Sequence, residues 1–300
     1  AVGSRDWERS RLAALYALAQ GDAPVVVATA DGLMARTLPP ETLRSLAITL
    51  EVGGQAELGA LAEQLLSAGY TRCEQVEGVG QFALRGGILD VFSPLMDQPV
   101  RCEFFDDEID SMGAFDPGTQ RRTRNVSSAR ILPAAEVLPH CAPGGLPGLA
   151  DQLIALAEKL AKKQKTEAIV QTLREDAERL RSGAAPGAAD RYLAAIYPTV
   201  TAGVHYLPPD AVVFLSESGR VDERVKNTVL QQKQDVEALL SAGVLAGEYA
   251  HLTLTAEELY AALEDFPVIL EDSLPTSRHP LRPRGLLTMN AKQLSSYGGS

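Results

Sequence analysis

Apolar positions recur at helical spacing near the start of the chain: Leu12, Leu15, Tyr16 and Ala19 predict a helix over Arg5–Ala19, with Gly21 as its stop signal. Val25–Ala28 is a short, wholly apolar run of the kind buried in a parallel sheet. Gly32–Arg36 reads as a helical turn ended by Pro39-Pro40, and Leu46–Val52 as a strand running into Gly53-Gly54. Leu58, Leu61, Leu65 and Leu66 share one face of a helix that Gly69 caps. The period then changes from helical to alternating. Four strands follow, at Gln81–Leu84, Ile88–Phe92, Val100–Phe105 and about Ile109–Phe115. From Pro133 the texture becomes helical again, with amphipathic stretches at Leu149–Lys165, Glu167–Arg181 and Val221–Leu240. A Gly/Ala/Pro loop at Ser182–Ala189 separates the second of these from an apolar stretch at Tyr192–Tyr197. Strands are predicted at Ala211–Leu215, His251–Leu254 and Phe266–Leu270, and Thr255-Ala-Glu-Glu258 is a capping box opening a helix.

This order predicts an α/β domain built from both ends of the chain, with an α+β domain, a helix on an antiparallel sheet, inserted after Leu46. The boundaries fall at 1–46 and 133–285 for the α/β part and 47–132 for the insertion. Prolines and basic residues from Leu274 onward suggest a linker, placed at 286–300.

The chain has 300 residues, 45% of them hydrophobic, enough for a large core, and its longest apolar runs are far short of a membrane span. No charged-then-apolar targeting segment opens it, and Cys73, Cys102 and Cys141 show no ligand spacing. Both features fit a reducing cytoplasm. A net charge of −11 argues against autonomous duplex DNA binding, which favours a basic face. No lysine occurs from Ala1 to Glu158, so every cation there is arginine. Bidentate contacts and GC-rich coding bias both explain this, and the choice stays open.

Catalytic patterns are absent from the sequence. Gly78-x-Gly80-x-x-Ala83 mimics a dinucleotide fingerprint, with Glu103 at the expected distance, yet it leads into the alternating Phe82/Leu84 of a strand rather than a helix. No G-x-x-x-x-G-K-[ST] phosphate loop exists, so no ATP hydrolysis is expected from the chain alone. Val212–Glu217 has a faint likeness to a Walker B strand end but reads better as a core strand and helix start. His140, His205, His251 and His279 stand singly, and the acidic group Asp106, Asp107, Glu108 and Asp110 fits a solvated turn better than a calcium loop. No catalytic residue, cofactor site or metal site is assigned.

The positive signal lies in Val100–Phe105. Alternation puts Val100, Cys102 and Phe104 on the core face and Arg101, Glu103 and Phe105 on the other. With a turn at Ser93–Gln98, Arg85 falls opposite Phe105 or Asp106 on the neighbouring strand, subject to a one-residue shift from a bulge at Gly86-Gly87. The outcome is a surface cluster of Arg85, Arg101 and Phe105, residue types enriched at interface hot spots. The alternative is that the arginines pair with Glu103, Asp106 or Asp107 and pin the sheet.

The stretches RGGILDVFSP, PVRCEFFDDEIDSMGAFDPGTQR and ILPAAE resemble the module shared by the excision-repair protein UvrB and the bacterial transcription-repair coupling factors (Mfd). The flanks ERSRLAALYAL, VVVATADGLMARTLPP, LLSAGYTRCEQVEGVGQFALRGG, DRYLAAIYP, YLPPDAVVFLSE and FPVILEDSLP favour the coupling factors. The resemblance implies a degenerate nucleotide-binding-type α/β domain (1A and 1B) with an inserted domain 2 that recruits the damage sensor UvrA. On that resemblance Arg85, Arg101 and Phe105 are UvrA-contacting positions, and a C-terminal domain of the complete protein masks domain 2. The resemblance further implies that RNA polymerase, DNA and ATP/Mg are handled by domains of the complete protein outside this chain. The implied function is therefore recruitment without catalysis, in the bacterial cytoplasm, for transcription-coupled nucleotide-excision repair. The competing readings are a translocase fragment that retains nucleotide or DNA binding and a purely structural domain.

Overall fold

A computed structural model describes residues 2–274 and 278–289. The chain is mixed α/β. Helix α1 (Val2–Gln20) is followed by two short helices, α2 (Ala30–Met34) and α3 (Pro40–Leu46), then strand β1 (Ile48–Glu51) and helix α4 (Leu58–Ser67). Strands β2 (Thr71–Arg72), β3 (Gln81–Arg85), β4 (Ile88–Val91), β5 (Val100–Phe105), β6 (Glu108–Phe115), β7 (Arg122–Asn125) and β8 (Ser128–Ile131) come next. The remainder is α5 (Gly145–Leu160), α6 (Glu167–Arg181), α7 (Leu193–Ile196), β9 (Val213–Ser216), α8 (Ser218–Ser241), α9 (Ala256–Leu263) and β10 (Val268–Glu271).

Strands β2 to β7 form a six-stranded sheet in sequence order; β2 runs parallel to β3 and every later pair is antiparallel. Its inner face is the apolar half of each alternating strand. Phe82, Leu89, Val91, Val100, Cys102 and Met112 pack on Leu61 and Leu65 of α4, with Leu50 and Ile131 from the small β1–β8 sheet closing the edge. A second core joins α1 to the α5–α6 hairpin: Leu12, Leu15 and Tyr16 meet Leu149, Leu153, Leu173, Tyr192 and Tyr197. A third gathers Met34, Val204, Leu215, Val225, Leu254, Leu259 and Leu263, bringing α2 against elements near the far end of the chain. Arg36, 5% exposed, donates to the carbonyls of Tyr197 and His251, both at 2.8 Å, which fixes that meeting. No helix of the described residues is long and apolar enough to cross a membrane.

Several expectations change. Val25–Ala28 is not a buried strand: it pairs with nothing in the described sheets, and Val25 and Val27 are 82% and 96% exposed. A buried parallel strand needs neighbours on both sides. The only parallel strands at this end of the chain, β9 and β10, pair with each other alone among the described residues, leaving Phe214 and Ile269 on an exposed face. His251–Leu254 contributes a single bridge, Ala35 to Thr253, rather than a strand. Pro40 opens α3 rather than only closing α2, because proline's missing N–H costs nothing in a first helical turn. The expected capping box at Thr255 forms: its Oγ1 accepts from the N–H of Glu258, and the Glu258 carboxylate accepts from the N–H of Thr255. The stretch from Arg278 to Met289 has no regular secondary structure, and the rest of the expected linker, 290–300, lies outside the described residues.

Candidate partner-docking site on the six-stranded sheet

The outer face of the sheet is built around a carboxylate. Asp90 sits in β4 within the apolar run Ile88–Phe92, and its side chain is 1% exposed. Across the antiparallel register it lies beside Arg101 of β5 and Ala83 of β3. Arg101 grips it with two N–H donors, Nε to Oδ1 at 2.7 Å and Nη2 to Oδ2 at 2.8 Å, while Arg85 Nη2 donates to Oδ2 at 2.9 Å. This fork geometry is what guanidinium supplies and ammonium does not. Hydrogen bonding to Asp90 raises the Arg101 pKa above its already high ordinary value, so the charge is permanent.

Arg101 is also held from beside and below. Its guanidinium lies 4.7 Å from the centroid of the Phe115 ring, and Phe115 belongs to a small outer cluster with Val76, Ala83 and Phe92. Gln120 accepts from Arg101 at 3.3 Å and donates to the carbonyls of Val76 and Pro117, which ties two loops to the arginine. The Arg101 side chain is consequently only 22% exposed, against 49% for Arg85.

The expected pairing of Arg85 with Phe105 is corrected. Gly86-Gly87 is the two-residue turn of the β3–β4 hairpin, with Gly86 at φ 58°, and not a bulge. Strand β4 therefore lies between Arg85 and β5. Phe105 stands apart at the tip of the β5–β6 hairpin, 76% exposed and past a register shift at Glu103/Phe104. Neither arginine stacks on its ring among the described contacts. The inner and outer faces of β5 fall as expected: Val100, Cys102 and Phe104 join the core. Glu103, Asp106 and Asp107 form no ion pair with either arginine within 4 Å, although the Glu103 charge adds to the field that favours charged Arg101. Glu103 accepts from Ser111 at 2.8 Å, and Asp106 and Asp107 form an exposed turn. The organising residue, Asp90, is the one the sequence reading passed over. Its signal was present, since a charge inside an apolar strand requires a buried partner.

The face continues to β7. Arg122 lies over Gly113 and donates to Ser111 Oγ at 3.3 Å, and a Cβ on Gly113 would stand 1.9 Å from Arg122 Nε. Gly113→Ala must therefore swing Arg122 outward. Because the obstacle is the end of a flexible side chain, the expected cost is about 1 kcal/mol or less. Urea unfolding of Gly113→Ala, alone and with Arg122→Ala, checks this: the second change should erase the cost.

Elsewhere, chemistry is muted. Burial pushes the Cys102 thiol up to about 12, and no cluster of metal-binding side chains occurs among the described residues. The N-terminus of α8, reached from β9, is filled by the chain's own carboxylate: the Ser218 N–H and Oγ–H both donate to Asp272 at 2.8 Å. Gly78 and Gly80 precede β3 directly and open no helix.

Comparison with known proteins fits this geometry. Residues 48–136 match the family described as the UvrB interaction domain. The transcription-repair-coupling factor of Bacillus subtilis (strain 168) is 28% identical over 302 residues, covering 100% of this chain and 25% of that protein. The factor from Myxococcus xanthus is 39% identical over 176 residues, covering 58% of this chain and 14% of its own length. The factor from Staphylococcus aureus (strain USA300) is 26% identical over 299 residues, 96% of this chain and 24% of that protein. The chain thus spans about a quarter or less of the length of these relatives. Residues 48–136 thus match the UvrB interaction domain, and the chain is similar over its whole length to the transcription-repair-coupling factor of Bacillus subtilis.

Proposed function

We propose that this chain is the N-terminal, UvrB-like recruitment module of a transcription-repair coupling factor, and that it binds UvrA through the outer face of its six-stranded sheet. The observation that carries the reading is a preset cationic face beside a bare ring: Arg85 and Arg101 fixed on a buried Asp90, and Phe105 exposed at the adjoining hairpin tip. Guanidiniums held in place lose little freedom on meeting carboxylates, and an exposed phenylalanine has apolar area to bury. The module would be non-catalytic and bacterial-cytoplasmic, with domain 2 at 47–132 inserted within a degenerate nucleotide-binding-type domain made of 1–46 and 133–285, and a linker at 286–300. ATP, DNA and RNA polymerase would be handled by other parts of the longer protein, and a C-terminal domain there would cover the same face.

Arg101→Glu is a poor test of this reading, because it sets a second carboxylate against Asp90 and disturbs the fold itself. Arg85 and Phe105 are better. Phe105→Ala should weaken capture of purified UvrA about thirtyfold, the equivalent of about 2 kcal/mol at a central anchor. Arg85→Ala, which adds no carboxylate beside Asp90, should also weaken it, and neither variant should lower the unfolding free energy by more than about 1 kcal/mol. If both variants retain UvrA as the parent chain does, in titration calorimetry at matched salt, the face is not the recruitment surface.

A further inference from the structure

Strand β7 ends the six-stranded sheet, pairs only with β6 among the described residues, and exposes all four of its residues. It lies in a stretch of unusual charge. Between Asp116 and Glu136 the chain carries Arg121, Arg122, Arg124 and Arg130 and no acidic residue, within a protein of net charge −11. Arg130 is turned over the Tyr16 ring, 5.8 Å from its centroid. Arg121, Arg122 and Arg124 form no ion pair within 4 Å among the described residues. The edge therefore combines unpaired backbone with uncompensated guanidiniums.

We propose that the free edge of β7 is a second docking site, which takes an extended acidic peptide segment of a partner protein by strand addition. Two features point to this occupant. A strand laid along β7 would pair the outward N–H and C=O groups that β6 leaves unmatched, which a rod of phosphates cannot do. The register shift on β6 sets Arg122 opposite Phe115 and Arg124 opposite Ala114, so the two flank the edge on opposite faces, and carboxylates on both sides of an incoming strand would each meet a guanidinium. Thr123, between them, donates its hydroxyl to Gln98 Oε1 at 2.8 Å. The opposing explanation is that the arginines only keep the edge from pairing with other sheets. The proposal is independent of UvrA binding at Asp90, Arg85 and Phe105, and its failure would leave that reading untouched.

The test uses the 300-residue chain and a fluorescein-labelled heptapeptide Val-Glu-Glu-Val-Glu-Glu-Val, which carries Glu on both sides of an extended strand, read by anisotropy. Binding should fall about tenfold or more for the Arg122→Glu/Arg124→Glu double variant, and by a similar factor when Lys replaces Glu in the peptide. Two further peptides carry N-methyl groups on alternate amides, one set for each edge. Methylation of the paired edge should abolish binding and methylation of the other should not. Equal binding by both methylated peptides, or by the double variant and the parent, overturns the proposal. So does a short DNA duplex that displaces the peptide at lower concentration with the same arginine dependence, since the patch would then be reading phosphate. Circular dichroism of the double variant confirms that its sheet is intact.

Discussion

Asp90→Ala should destabilise the six-stranded sheet by about 3–5 kcal/mol, the cost typical of removing one partner of a buried ion pair. The carboxylate accepts all three of the hydrogen bonds that organise the outer face, and its loss strands Arg101, 22% exposed, against Phe115 without a counter-charge. Arg85 contributes little to the penalty, because a half-exposed side chain can turn to water. The informative control removes both charges. Asp90→Leu with Arg101→Met replaces the pair with apolar groups of similar size, and such exchanges are often neutral. The double variant should recover most of the lost stability and unfold near the parent in urea. Its sheet would be intact, but its cationic face would not. A single Asp90→Ala variant that melts with the parent would show that the pair is dispensable, and that Arg101 is free to serve a partner alone.

The same carboxylate shows where the sequence was legible. Alternation along Val100–Phe105 separates core from surface correctly, because one side of the strand must face α4 and only the apolar set can do so. Lateral relations were harder. Placing Arg85 opposite Phe105 required knowing whether Gly86-Gly87 was a bulge or a turn, and that choice inserts or removes a whole strand between them. Strand β7, Arg-Thr-Arg-Asn, carries no apolar signal at all, since an edge exposed on both sides has nothing to bury. Val25–Ala28 failed in the opposite direction. Its composition is that of a buried strand, but burial depends on neighbouring strands that the local sequence does not encode.

The second large effect is expected where α1 meets the chain leaving β8. Glu136 follows that strand, and its side chain is 9% exposed. Its carboxylate accepts from Arg11 at 2.8 Å and from the Thr37 hydroxyl at 2.6 Å, while its backbone N–H donates to Glu8 at 2.7 Å. Three segments distant in sequence are stitched at one buried charge. Burial raises the Glu136 pKa above its ordinary value, and Arg11 pulls it partly back. A carboxyl whose folded pKa is raised weakens the folded state as pH climbs from the unfolded pKa through the folded one, and the penalty is complete above that. Arg11→Met removes the compensating charge, so Glu136 should titrate higher still and the chain should lose about 3–5 kcal/mol at neutral pH. The loss should shrink on acidification from neutral toward mildly acidic pH, as Glu136 takes up its proton above the ordinary carboxylate range, opposite in sign to ordinary acid unfolding. Adding Glu136→Gln to Arg11→Met should restore most of the stability and flatten that slope. Urea unfolding of the three chains at neutral and at mildly acidic pH decides the matter: an Arg11→Met deficit that is the same at each would mean that lost packing of the arginine stem, and not an abandoned carboxylate, carries the cost.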